Sequence, residues 1–358
     1  MKLRNPTSSL AGRAAAAACA SLLAAGLAVA GDADRGVLVL TSTNAASSNQ
    51  VLVYQLQTGA APALSLVQTL PTGGVGGAGG NAGILQMRDD FGAVANYGSS
   101  NVSELVREGD FIQVRGQIKL APGCAKPDSV AITRDQLFVV GANCVESHLW
   151  PSGIQDGAIV HLSDASAAQV VVGKTWGAVT FTSGALERVG LTGWGALSGS
   201  VASVALPANA NNTPLGAAFW DDILGFTPAH SPDSFAIVDA QRNVYPILGP
   251  TPPFPANAPC WVAKGPGNVW YTGNSPGHAV SIFFSDGKGG AFYKSVPLPG
   301  VPTDLTVSRD HKWLGVIYSA NGSGYVAVFG IDAYGDLTPE ATSNPIGVAS
   351  FSGIAISE

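Results

Sequence analysis

The chain has 358 residues, a formal net charge of −6 and only 12% charged side chains, against 45 glycines and 23 prolines. A net acidic chain with scattered Lys and Arg lacks the basic stripe that nucleic acid requires. Low charge with this many turn formers points to an all-β chain of tight corners, and no long apolar stripe of helical period runs through it.

The first residues carry Lys2, Arg4 and Arg13; residues 14–30 are uncharged, apolar and Ala-rich, and end in Ala28-Val29-Ala30. Basic, apolar and small-residue segments in that order predict a secretory signal peptide over residues 1–30, cleaved after Ala30. The competing reading, a membrane anchor, needs a longer and more apolar span than this Ala-dominated run. The expectation is a secreted or periplasmic chain with one domain over residues 31–358 and no membrane span after cleavage.

Residues 35–70 then give three strands, VLVLTST, QVLVYQL and LSLVQTL. Past the Gly-rich stretch 73–80, strands recur in fours. AGILQM, FGAVANYG, NVSELVRE and FIQVRGQI make the first group. DSVAIT, QLFVVGAN, AIVHLSD and AQVVVGKT make the second, with residues 144–157 read as a long insertion between its second and third strands. GAVTFT, LERVGLTG and GSVASVAL form a less regular third group. GAAFWD, ILGFTP, SFAIVD and NVYPIL form the fourth, and CWVAKG, NVWYTGN, AVSIFF and FYKSVPL the fifth. The sixth, residues 301–343, is the clearest: TDLTVS, KWLGVIYSA, YVAVFGID and LTPEATS, broken at Arg309-Asp310, Asn321-Gly322 and Gly335-Asp336. Those breaks hold the residues that tolerate turn dihedrals.

The last segment, FSGIAISE, is a lone strand like the first of each group, and the N-terminal three lack that piece. A repeat of about 40 residues with a split group predicts a seven-bladed β-propeller of four-stranded blades, its ring closed by the C-terminal strand joining the N-terminal three. A solenoid would need capped ends and leaves the split unexplained. Six or eight blades stay open through the irregular third and fourth groups.

FGAVANYGSSNVSELVREGD (91–110), PDSVAITRDQLFVV (127–140) and PTDLTVSRDHKWLGVIYSANGSGYVAVF (302–329) resemble blades of the secreted lactonase-like propellers, a family that includes 6-phosphogluconolactonases and carboxymuconate-lactonizing enzymes. The resemblance covers the repeat pattern beyond the leader. It implies that a lactone is hydrolysed or formed at the mouth of the central channel; the chain is expected to be a monomer, and no cofactor or metal is expected. The lactonizing enzymes use a His just before the first strand of their second blade; this chain has Ala125-Lys126-Pro127-Asp128 there. That departure favours an alternative: a non-catalytic propeller that holds a small ligand or a protein in the periplasm.

Counting strands places the inter-blade loops and the loops between second and third strands on one face of the ring. That face is expected to carry Asp128, His148 and Asp304 as candidate acid/base groups. Lys126, Tyr97, Trp150, Trp261 and His278 are expected there as ligand contacts. Each has a plainer competing role: Asp as a turn acceptor, His and Lys as solvated loop residues. His148, His230 and His278 lie on separate blades, which argues against a metal trio. Cys124 and Cys144 fall on the same face one strand apart, within reach of a disulfide, and Cys260 is left over. Residues 74–79 fit G-x-G-x-x-G, but no helix follows, so the stretch reads as a flexible inter-blade loop. Gly273-Asn274-Ser275-Pro276-Gly277 fits G-x-S-x-G, yet Pro276 lacks the N–H that a nucleophile elbow uses, and it reads as a tight turn.

Overall fold

Alternating β-branched and aromatic residues, interrupted every few positions by Gly, Asn or Asp, drive the chain into short strands joined by tight turns. The structure, a computed structural model, describes residues 35–79, 81–230, 234–248, 258–347 and 351–358; the leader lies outside them. The described residues hold 28 strands and no helix. Arg35–Glu358 form one compact unit.

The first sheet joins the two ends of the chain. β1 (Val37–Ser42), β2 (Gln50–Gln57) and β3 (Ala63–Pro71) are extended by β28 (Ser352–Ser357), in the order β28-β1-β2-β3. A second meander runs β4 (Leu85–Arg88), β5 (Phe91–Asn96), β6 (Asn101–Glu108) and β7 (Phe111–Lys119). Next come β8 (Ser129–Ile132), β9 (Gln136–Val140), β10 (Cys144–Leu149) and β11 (Ile154–His161), then β12 (Ala167–Val172), β13 (Trp176–Phe181), β14 (Leu186–Leu191) and β15 (Leu197–Ser203). These two are linked into one eight-stranded sheet by a single parallel pairing, Gly157 with Leu197. β16 (Pro214–Trp220), β17 (Ile223–Pro228), β18 (Ser234–Val238) and β19 (Val244–Leu248) follow. Then come β20 (Pro259–Lys264), β21 (Val269–Asn274), β22 (Ala279–Ser285) and β23 (Gly290–Pro297). Last are β24 (Val301–Val307), β25 (Trp313–Ala320), β26 (Ser323–Ile331) and β27 (Leu337–Thr342).

Burial grades along every meander. The second strands, such as β9 and β13, are buried along their whole length, while fourth strands such as β3 and β15 are mostly exposed. Second strands are covered on both faces by the neighbouring sheets, which is why they read as continuous apolar runs. Between β18 and β21–β22, Phe235 packs on Trp270 and Phe283 at ring separations of 5.3 and 5.4 Å. First strands contact first strands: β4 touches β8, then β8–β12, β12–β16, β16–β20 and β20–β24, and β28 touches both β24 and β4. This all-β stack of four-stranded antiparallel meanders around their first strands is the arrangement of a β-propeller.

The strand frame corrects one expectation. Residues 144–157 are no insertion: β10 is the third strand of its meander, AIVH belongs to its fourth, β11, and AQVVV opens the next meander as β12. β10 carries Glu146, Ser147 and His148 buried, so it shows no apolar alternation. Their polar atoms are satisfied instead. His148 Nε2 lies 3.1 Å from Glu146 Oε1 and its Nδ1 3.1 Å from Gly153 O, Ala121 N donates to Glu146 Oε2 at 2.9 Å, and Leu197 N donates to Ser147 Oγ at 3.1 Å.

A second correction concerns the Gly-rich stretch. Asn44 Oδ1 accepts from Gly77 N at 2.8 Å and Ala78 N at 3.1 Å, and its Nδ2 donates to Ala78 O at 2.7 Å. A Cβ on Gly76 would overlap the Asn44 backbone. Glycine is there for close packing, and the stretch is tied down.

Candidate functional site: a central cavity closed at one end

A register shift interrupts the start of several first strands: between Ala167 and Gln169, Pro259 and Trp261, and Pro302 and Asp304. A bulge of this kind re-aims the side chain that follows it, and here those are Gln169, Trp261 and Asp304. They converge on residues 81–83, just before β4. Asn81 Nδ2 donates to Asp128 O (2.6 Å), Trp261 Nε1 to Asn81 O (3.4 Å) and Ser352 Oγ to Asn81 Oδ1 (3.4 Å). Ala82 N donates to Ala168 O (3.3 Å), and Gly83 N to Asp304 Oδ2 (3.5 Å). Three residues thus touch first-strand segments from five other meanders, which is possible only if they cross the axis. Asn81 and Ala82 are 5% and 2% exposed. Gly83 has φ +70°, and a Cβ there would press on Ser129 Oγ and Gln169 Nε2 at 3.0 and 3.1 Å.

The end of the channel expected to be its mouth is therefore blocked on the axis. Below the block a cavity of about 510 Å³ runs between the first strands, from Gly83, Gln169 and Asp304 along apolar walls such as Leu85, Val262 and Ala355. It reaches Arg88, Asp89, Lys264, Arg309 and Glu358 at the opposite end. The side chains of Arg309 and Asp89, which form an ion pair there, are 63% and 59% exposed, so this is the open end.

Two carboxyls sit at the closed end. Burial pushes Asp304 up to about 7, against backbone N–H bonds from Leu305, Gly83 and Gly353. Burial pushes Asp128 to about 7 as well, against the charge of Lys126. At the open end, burial and then the charge of Arg309 lower the Arg88 guanidinium, and its Nε is buried without a partner. Burial lowers Lys264 to about 8. Its ammonium lies 5.0 Å and 5.3 Å from the Trp220 and Trp270 rings and donates to Gly265 O and Gly267 O, each at 2.6 Å. This cationic end was missed in the sequence because Arg309-Asp310 read only as a turn and Arg88 falls between two strands read from the sequence, with no motif around it.

Of the expected site residues, the structure gathers Asp128, Trp261 and Asp304 around residues 81–83. The others lie elsewhere. His148 sits inside the β8–β11 sheet, 2% exposed, at the end of β10 away from Cys144; Trp150 follows it in the β10–β11 turn, packed in a core cluster with Val139 and Ile118. Both were expected in a loop at the opposite end of this sheet, an error of the strand frame. Tyr97, Lys126 and His278 do lie on the closed-end face, away from the axis, with Lys126 Nζ 5.7 Å from the Tyr97 ring centroid and His278 exposed. Cys124 and Cys144 are joined, their Cα atoms 5.5 Å apart, and Cys260 is free. No cluster of three metal-ligating side chains occurs among the described residues.

No protein-family model matches the chain, and no curated protein matches it in sequence. Solved structures do. A Bacteroides fragilis protein described as a candidate 6-phosphogluconolactonase matches with a TM-score of 0.64 at 12% identity, over 91% of this chain and 99% of its own. The periplasmic gluconolactonase of Pseudomonas aeruginosa matches with a TM-score of 0.64 at 14% identity, over 90% and 99%. Virginiamycin B lyase of Staphylococcus aureus gives 0.56 at 15% identity, over 73% and 85%. The chain has the fold of the lactonase-like propellers, and the lyase shows the same fold carrying other chemistry.

Proposed function

We propose that the chain is a closed seven-bladed propeller of lactonase type that hydrolyses a small lactone in its central cavity. The pairing of β28 with β1, and its contacts with β4 and β24, support closure. Asp304 carries the functional reading: a carboxyl of pKa about 7, buried at the closed end of the cavity, is half-protonated near neutral pH and serves as base or acid. It takes a proton from water as that water attacks the lactone carbonyl and returns it to the ring oxygen as the C–O bond breaks, leaving a hydroxy acid. Arg88 and Lys264 at the open end offer cations that attract the hydroxy acid's carboxylate as it leaves towards solvent. Export to the periplasm as a monomer is part of the proposal. It rests on the basic-apolar-small pattern of residues 1–30, on the Cys124–Cys144 link, which suits an oxidising compartment, and on the likeness to a periplasmic gluconolactonase.

A lactone panel followed by pH-stat tests the activity. Asp304→Asn is expected to lower turnover by about 10²-fold or more in protein that still unfolds cooperatively and is no less stable than wild type at neutral pH. No turnover by well-folded wild-type protein would establish the second reading, a non-catalytic ligand-binding propeller. One observation favours that reading: no histidine lines the cavity among the described residues, and His148 is committed to Glu146 and Gly153.

A further inference from the structure

A second groove, also of about 510 Å³, lies on the outer flank between the β12–β15 and β16–β19 meanders, lined by Arg188, Gly190 and Ser200 on one side and Ala240 and Arg242 on the other. It takes no part in the central cavity. Arg188 is held in place: its guanidinium lies 4.8 Å from the Trp176 ring, and Nη1 donates to Ala240 O at 3.1 Å. That uses one of five N–H groups. Arg242 stands in a tight turn at φ 73°, its backbone N bound to Asp239 O at 2.9 Å. Neither guanidinium has a carboxylate partner among the described residues. The nearby Asp239 is spent on Asn243 and Tyr245.

The floor is shaped for hydroxyls. A Cβ at residue 190 would overlap the Ser200 hydroxyl; with glycine there, Ser198 Oγ and Ser200 Oγ meet at 3.0 Å above it. Two guanidiniums without a carboxylate partner, with the Ser200 hydroxyl beside them, match the oxygens of an oxyanion. The volume lies within the range of small-ligand sites, about 300–1,000 Å³.

We propose that this groove binds the phosphate or carboxylate group of a small hydrophilic ligand, independently of the central cavity. The test is calorimetric titration of the purified protein at low ionic strength with inorganic phosphate and, separately, malonate. Binding is expected for at least one anion, with a component weakened about tenfold or more in Arg242→Gly, a change that also suits the positive φ. Arg309→Ala, in the central cavity, is expected to leave it unchanged. Phosphate alone binding assigns a phosphoryl ligand; malonate alone assigns a carboxylate. Absence of binding by the wild type to both anions overturns the proposal, as does undiminished affinity in Arg242→Gly or a loss in Arg309→Ala only.

Discussion

Asp128 and Asp304 are carboxyls that folding moves in an unusual direction. Both rise from 3.8 to about 7 through burial. Between those values the folded chain holds protons that the unfolded chain has released. Stability from these two groups is therefore greatest near pH 4 and falls as pH rises towards about 7, with no further change above. Denaturant titrations across that window should show this slope reduced in Asp128→Asn and in Asp304→Asn; slopes equal to wild type would contradict the burial argument. His148 calls for the opposite expectation from a catalytic one. Its removal leaves the fully buried Glu146 without its ring partner. His148→Ala is expected to cost about 1–3 kcal/mol of stability by leaving a buried acceptor unmatched, while turnover per folded molecule stays at the wild-type value. The sequence made Asp128 and Asp304 legible through their positions at the head of a first strand. It hid the role of His148, because a histidine and a glutamate two residues apart look like solvated loop chemistry until both are seen buried.

At the scale of elements, apolar second strands bounded by turn residues could be read directly: β5, β9, β17, β21 and β25 all stand in the places the sequence assigns them. The frame slipped at β10, whose buried face is polar, and the slip moved β11 and β12 into the wrong roles. The stretch 73–79 failed for a related reason: consecutive glycines signal freedom of the unfolded chain and say nothing of a partner such as Asn44, some thirty residues away. Asn44→Ala removes three hydrogen bonds at once. It should cost about 1–3 kcal/mol and speed hydrogen exchange at the Gly77 and Ala78 amides, where retained protection would show that glycine packing alone holds the segment.

For the whole molecule, the missing strand of the N-terminal group and the lone strand at the C-terminus were visible in the sequence, and the structure pairs them from Leu38 with Ser357 to Ser42 with Ser352. Arg107, 2% exposed, adds a clasp, donating to Ser357 Oγ at 3.0 Å and to Gly36 O at 2.5 Å. Truncation after residue 347 should abolish cooperative thermal unfolding, since β1 gains a bare edge while β4 and β24 lose the strand between them; a sharp transition in that variant would argue against closure. Strand counting puts Asn81 in an inter-blade loop on this face, but not that residues 81–83 block the axis: three small residues carry no pattern, although they decide which end of the cavity communicates with solvent. Their consequence is kinetic. A vessel with one opening cannot be fed from one side and emptied from the other. If the cavity hydrolyses a lactone as proposed, product must diffuse out through the doorway the next substrate needs, so occupancy by either excludes the other. Inhibition by product should then be strictly competitive, and turnover at high substrate should be limited by departure through that shared doorway.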